Sequence, residues 1–205
     1  MHAKQGATLY RSAWQTTILL ITVLWLTGCG VNNIPTYDEQ VKSAWSQVEN
    51  QYQRRADLVP NLVETVKGFA RQERETLTAV VEARAKATSI QVDESILNDP
   101  ERLQQFQQAQ GELSSALSRL MAVSERYPEL KSNQNFLALQ SQLEGTENRI
   151  AVARRDFITA VERYNTEIRT FPGRIWHSLL YSDMELRETF EASSPDAEQA
   201  PQVEF

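Results

Sequence analysis

Apolar or near-apolar side chains recur at Val41, Trp45, Val48, Tyr52, Val59, Leu62, Val66, Phe69, Leu77 and Val80, in steps of four and three, with Arg55 and Glu73 as polar exceptions. On a helix these positions stack into one stripe, the pattern of a coiled-coil-like seam. The spacing predicts a long helix over residues 36–89. Thr36 and Glu39 fit a capping box at its start, a hydroxyl at the cap and a carboxylate three residues on. Pro60 lies inside the seam. It cannot donate to residue 56, and its ring crowds the preceding turn. Yet the repeat passes through Pro60 without a slip, which a turn between two separate helices has no reason to preserve. This favours one helix kinked near residues 56–60. The alternative is a tight hairpin there, giving an up-down-up-down four-helix bundle.

Residues 88–99 interrupt the pattern, and Asp99-Pro100 then carries a helix start, with Asp as cap and Pro at the first helical position. The next seam is Leu103, Phe106, Gln110, Leu113, Leu117 and Leu120, closed by Tyr127-Pro128. After a polar link, Glu129 to Asn133, a last long helix carries Phe136, Leu139, Leu143, Thr146, Ile150, Ala153, Phe157, Ala160, Tyr164 and Ile168. It stops at Phe171-Pro172-Gly173. Ile175, Trp176, Leu179 and Leu180 suit a short helix within residues 174–190, and Ser193 to Phe205 is acidic, Pro-containing and extended in character. No strand alternation and no repeat of 20–50 residues is present. The expected fold is all-α: a long antiparallel bundle of three to four helices with coiled-coil-like seams. Composition agrees, since 205 residues hold only seven Gly and seven Pro, with 41% hydrophobic and 23% charged positions.

The N-terminus reads differently. Lys4 and Arg11 precede an apolar run from Thr16 to Leu26, too short for a stable span and followed by small residues, which is the plan of an export signal. The run ends Leu26-Thr27-Gly28-Cys29, which resembles a bacterial lipobox. That resemblance implies cleavage between Gly28 and Cys29 and lipidation of the Cys29 sulfur, the only cysteine of the chain. Acyl chains anchor by about 0.8 kcal/mol per buried CH₂. The competing expectation is an uncleaved anchor that spans the membrane. Gly rather than Asp at position 30 implies the outer membrane if the source is Gram-negative. The chain thus divides into a signal (1–28), a lipidated tether (29–35), a bundle (36–190) and an acidic tail (191–205). Loss of residues 1–28 changes the formal charge from −6 to −8, which disfavours nucleic acid as a partner, because phosphate contacts need clustered Lys and Arg.

Catalytic chemistry finds little footing. His2 leaves with the signal, and His177 has no carboxylate or second histidine at ligand spacing, so no metal is expected. Phosphate-binding glycine loops and nucleophile elbows are absent. Glu73, Glu75 and Glu82 alternate with Arg71, Arg74 and Arg84, as on a solvated helix face. The densest polar cluster is Arg54, Arg55, Asp57, Asn61 and Glu64. Arg55 falls on the seam itself, and a buried guanidinium needs a carboxylate, from Asp57 or another helix. The cluster is either a salt-bridge network at the kink or an exposed docking patch.

The stretch Gln53-Arg54-Arg55-Ala56-Asp57-Leu58-Val59-Pro60-Asn61-Leu62-Val63-Glu64-Thr65-Val66-Lys67-Gly68 resembles the signature of LemA family proteins. Ala44 to Val48, Arg155-Asp156-Phe157, Tyr164-Asn165, Ile168 to Pro172 and the ending Pro201-x-Val203-x-Phe205 resemble the same family, so the likeness covers residues 36–205. It implies a membrane anchor followed by long antiparallel helices, and no enzymatic activity or cofactor. Many members carry a plain transmembrane helix where this chain has a lipobox. The expected function is that of a lipid-anchored, periplasm-facing envelope protein, a non-catalytic scaffold for an unidentified envelope partner in maintenance or stress response. Two rivals stand: an enzyme or signalling domain with an unrecognised site, and a self-associating scaffold in which Trp45 and Trp176 face a neighbouring copy. Pro201, Val203 and Phe205 suit addition to a partner's sheet edge or pocket, or packing on the chain's own bundle.

Overall fold

The structure is a computed structural model, which describes residues 30–90 and 93–190. The described residues form six helices and no strand: α1 (Asn33–Phe69), α2 (Arg74–Ser89), α3 (Pro100–Ser124), α4 (Pro128–Lys131), α5 (Gln134–Arg169) and α6 (Gly173–Leu180), with a 3₁₀ turn at Glu94–Asn98. The all-α bundle expected from the seams is present. At 1.5 Å per residue, α1 and α5 are each roughly 55 Å long. They pack antiparallel along their length: Asn33 donates to Glu167 at 3.1 Å at one end, and Arg55 meets Glu147 at 3.0 Å further along. The shorter helices α2 and α3 run antiparallel to each other on the same core, with Lys86 paired to Glu112 at 2.7 Å.

The chain reverses at residues 70–73, not at Pro60. α1 continues through Pro60 to Phe69, which bears out one continuous helix there and corrects the expectation of helix over 36–89. The slip that marks the turn is in the seam: Phe69 to Glu73 to Leu77 takes two successive steps of four. Pro60 is tolerated because its ring faces solvent. The carbonyl it leaves without a helical donor, that of Ala56, accepts instead from the Arg84 guanidinium of α2, Nε to oxygen 2.8 Å. A buried or half-buried carbonyl with no donor is costly, so the neighbouring helix completes the ladder.

The capping box does not form. α1 begins at Asn33, three residues earlier, with no side-chain cap, and Glu39 pairs with Lys42 instead. Residues 33–35, expected as the end of the tether, are thus helical. Pro35 lies in the first turn, where the helix needs no donor from it. The cap at α3 is the one the chain suggests, Asp99 accepting from the Arg102 amide at 3.0 Å, and at α5 the last residue of the polar link, Asn133, accepts from the Phe136 amide at 3.1 Å. Of the expected short helix in 174–190, Gly173–Leu180 is helical and residues 181–190 form an irregular strap. Gly173 is demanded by space, since a Cβ there would lie 2.1 Å from the Glu167 carbonyl oxygen.

The core is two apolar clusters end to end. One joins Val59, Leu62 and Val66 to Leu113, Leu117, Leu120 and Phe136. The other joins Val41, Trp45 and Val48 to Phe106, Phe157 and Tyr164. Trp45 is 2% exposed and packs against Phe106, Phe157 and Phe190 with ring centroids 5.2–5.9 Å apart. It thus faces the core rather than a neighbouring copy.

Candidate functional site

Arg55 marks the boundary between the two clusters. It is 1% exposed, the largest fully buried side chain among the described residues. Its seam position turns it inward, and two other helices, α3 and α5, supply its hydrogen-bond partners. Nη1 donates to Ser114 Oγ at 2.6 Å and to Glu147 Oε1 at 3.0 Å; Nη2 donates to the Gln110 carbonyl at 3.1 Å and to Gln110 Oε1 at 2.5 Å. The guanidinium carbon also sits 5.0 Å from the centre of the Tyr52 ring. Nε has no partner among the described residues. The ion pair is asymmetric, since Glu147 keeps 41% side-chain exposure and stays hydrated while Arg55 does not. The guanidinium is held chiefly by neutral acceptors and one rim carboxylate, an arrangement that softens the desolvation cost.

An open cleft of about 590 Å³ lies over this layer, bounded by Tyr52, Gln104, Gln107, Gln108, Glu147 and Arg154. Burial pushes the Tyr52 phenol above its ordinary value, with Arg154 beside it pulling the other way. The lining is rich in amide donors and acceptors and can hydrogen-bond a polar group. Its one buried charge is already engaged by Glu147, Gln110 and Ser114.

A second polar centre ties the strap to the bundle. Arg187 donates from Nε and Nη2 to Asp38 Oδ1 at 2.9 and 2.5 Å, and from Nη1 to Asn98. The Asn165 amide bonds both the N–H and the carbonyl of Arg187, each at 2.9 Å, which is strand-like pairing by a side chain. Tyr164 donates to the Glu185 carbonyl at 2.9 Å, and burial pushes its phenol up to about 12 against the pull of Arg187. Lys42, held by Glu39 and Asp38, is raised well above the ordinary lysine value. His177 makes its contact with the Met184 carbonyl at 2.9 Å. No group of three His, Cys, Asp or Glu among the described residues converges as metal ligands would.

The polar cluster read from the sequence divides. Arg54, Asp57, Asn61 and Glu64 are exposed and share one stripe of α1, at spacings of three and four. Arg55 points away from them into the core, so it is no part of an exposed patch, and its carboxylate is Glu147 rather than Asp57. Asp57 accepts from Gln53 at 2.8 Å. Asp38 and Arg187 went unremarked in the sequence, and Asn165 stood there only in the motif Tyr164-Asn165; the signal for Asp38 was its place three residues before Val41, in step with the seam. Gly28, Cys29, Pro201, Val203 and Phe205 lie outside the described residues.

Fold and polar centres define an all-α bundle protein built on one long antiparallel helix pair. The LemA family pattern matches residues 44–205, and the chain belongs to the LemA family. Among curated relatives, the magnetosome proteins MamQ 1 and MamQ 2 of Paramagnetospirillum magneticum are each 28% identical over 166 residues, which is 73% of this chain and 60% of theirs. Protein LemA of Metamycoplasma hominis is 24% identical over 155 residues, 75% of this chain and 67% of its own. The chain thus spans about 60% of the length of the magnetosome relatives.

Proposed function

We propose that the chain is an envelope lipoprotein, held in the membrane by acylated Cys29, and a non-catalytic scaffold that presents its bundle to an envelope protein. The observation that carries this is the position of residue 30. A Cβ on Gly30 would lie 3.8 Å from Pro172, at the end of the bundle where α5 stops. An anchor one residue earlier would therefore hold a rod by its tip, with the far turns at residues 70–73 and 125–133 roughly 55 Å away. The exposed stripe Arg54, Asp57, Asn61 and Glu64 then lies part way along the rod, as a mixed-charge surface for a partner. Among the described residues no helix is long and apolar enough to cross a membrane. Gly at position 30 supports the outer membrane in a Gram-negative source.

The test is the intact mass of protein purified from native membranes, beside a Cys29→Ser variant. A mass of residues 29–205 plus diacylglyceryl and acyl groups, lost in the variant, is expected. An unmodified full-length mass would sink the lipoprotein reading. On the same membranes, a photo-crosslinker at Asn61 should capture one recurring envelope protein, and adducts no different from those of a non-family lipoprotein would sink the scaffold reading.

A further inference from the structure

The anchored end of the bundle carries an apolar edge that the core does not use. Nine large hydrophobic side chains are exposed among the described residues, and five of them fall within residues 171–186: Phe171, Ile175, Leu179, Leu180 and Leu186. The three most exposed of all nine are here, Phe171 at 81%, Leu179 at 70% and Leu180 at 58%. The other four, Phe69, Val81, Leu137 and Val152, are scattered singly on other helices, as on any soluble surface. Ile175 and Leu179 are four apart on α6 and share one face, with Leu180 beside them, and Phe171 stands in the turn that leads into the helix. A clustered apolar patch of this kind marks an interaction surface.

Position selects the occupant. Gly30 approaches Pro172, the neighbour of Phe171, and Asn33 bonds Glu167 one turn earlier in α5. Cys29 directly precedes Gly30 in the chain. The apolar stripe thus lies at the level of the anchor. Arg169 and Arg174 flank it, exposed and without an ion pair among the described residues. Asp183 and Glu185 stand beyond the far end of α6. Apolar side chains at the acyl boundary with arginines at the phosphate level is how an interfacial helix sits in a bilayer.

We propose that Phe171, Ile175, Leu179 and Leu180 form a membrane-resting foot, which inserts into the headgroup–acyl boundary of the bilayer that holds the chain and fixes the attitude of the bundle. The proposal rests on the anchoring of this end through Cys29. A lipid tether alone permits any tilt. A second contact beside it removes that freedom, so the partner surface on α1 is presented at a set height and direction.

The experiment uses the full chain, purified from membranes and reconstituted into phosphatidylethanolamine–phosphatidylglycerol vesicles. An environment-sensitive fluorophore is attached at Leu179→Cys or, at the far end, at Ser132→Cys. The expected result is blue-shifted emission at position 179 that doxyl-labelled lipids quench, and neither effect at position 132. Phe171→Ser with Leu180→Ser should abolish quenching at 179 while the protein stays with the vesicles. Water-like, unquenched emission at 179 overturns the proposal. So does excimer formation between pyrene labels at 179 on separate molecules, which would assign the edge to a second copy. The mass of the same sample separates the two readings. An acylated protein unquenched at 179 defeats the foot alone, and an unacylated protein quenched at 179 defeats the lipid anchor alone. The parent chain, labelled in parallel, reports any free Cys29 thiol.

Discussion

At the scale of single residues, the chain shows which positions are anomalous but not what answers them. Arg55 was visible as a charge where the step pattern calls for an apolar side chain. Its partner was not, because the nearest carboxylate in sequence, Asp57, is two positions away, and residues two apart on a helix face different directions. Pro60 likewise announced an orphaned carbonyl at Ala56, and only the packing of α2 supplied Arg84 as its donor. Removing that donor with Arg84→Ala should cost about 1–2 kcal/mol. In a Pro60→Ala background the restored amide serves the same carbonyl, and the cost of Arg84→Ala should fall below about 0.5 kcal/mol. Urea denaturation of the four proteins measures this coupling. Equal costs in the two backgrounds would mean that Arg84 stabilises the bundle in some other way.

At the scale of elements, helix existence was legible and helix ends were less so. The seams of α1, α3 and α5 are buried nearly residue for residue, from Val41 to Val66, Leu103 to Leu120 and Phe136 to Ile168. Boundaries followed where a side chain caps, as Asp99 and Asn133 do, and failed where the break is made by packing. The turn at residues 70–73 carries no Pro or Asn-Gly; its trace is a single misplaced step in the seam. The strap at residues 181–190 has no periodicity at all. Its order comes from Arg187 on Asp38, from Asn165, and from Phe190 set among Trp45, Phe157 and the Arg154 guanidinium. Phe190→Ala should therefore destabilise the protein by about 3 kcal/mol. The amides of Arg187 and Glu188, which bond Asn165 and the Leu97 carbonyl, should lose protection in hydrogen exchange ahead of the helices. Protection that fell only with the global transition would show that the polar contacts hold the strap without the ring.

At the scale of the whole molecule, the Arg55 layer divides one long core into two and ties α1, α3 and α5 together at one height. Apolar seams with a repeating step tolerate sliding by a turn, and a buried polar group that is satisfied in only one register forbids it. Arg55→Ala should cost about 3 kcal/mol, since the buried Gln110 loses its donor and the space left by the largest buried side chain is emptied. Arg55→Met, which fills the space with apolar atoms, should recover most of that stability. Its amide NMR signals in α3 and α5 should nevertheless broaden as neighbouring registers become populated. Signals as sharp as those of the parent would show that the layer is not what sets the register.

Helix content, the inward faces and the family were all determined by the chain alone, because each depends on near-neighbour spacing: steps of three and four that stack on a helix, and a contiguous run from Gln53 to Gly68. The place where the chain turns, the donor that rescues Pro60, the carboxylate that meets Arg55 and the lock that holds the strap were decided by tertiary structure. The Arg84–Ala56, Arg55–Glu147 and Arg187–Asp38 contacts join residues 28, 92 and 149 positions apart. Such pairs exist only once the long helices have settled against one another, so no local pattern in the chain can encode them visibly.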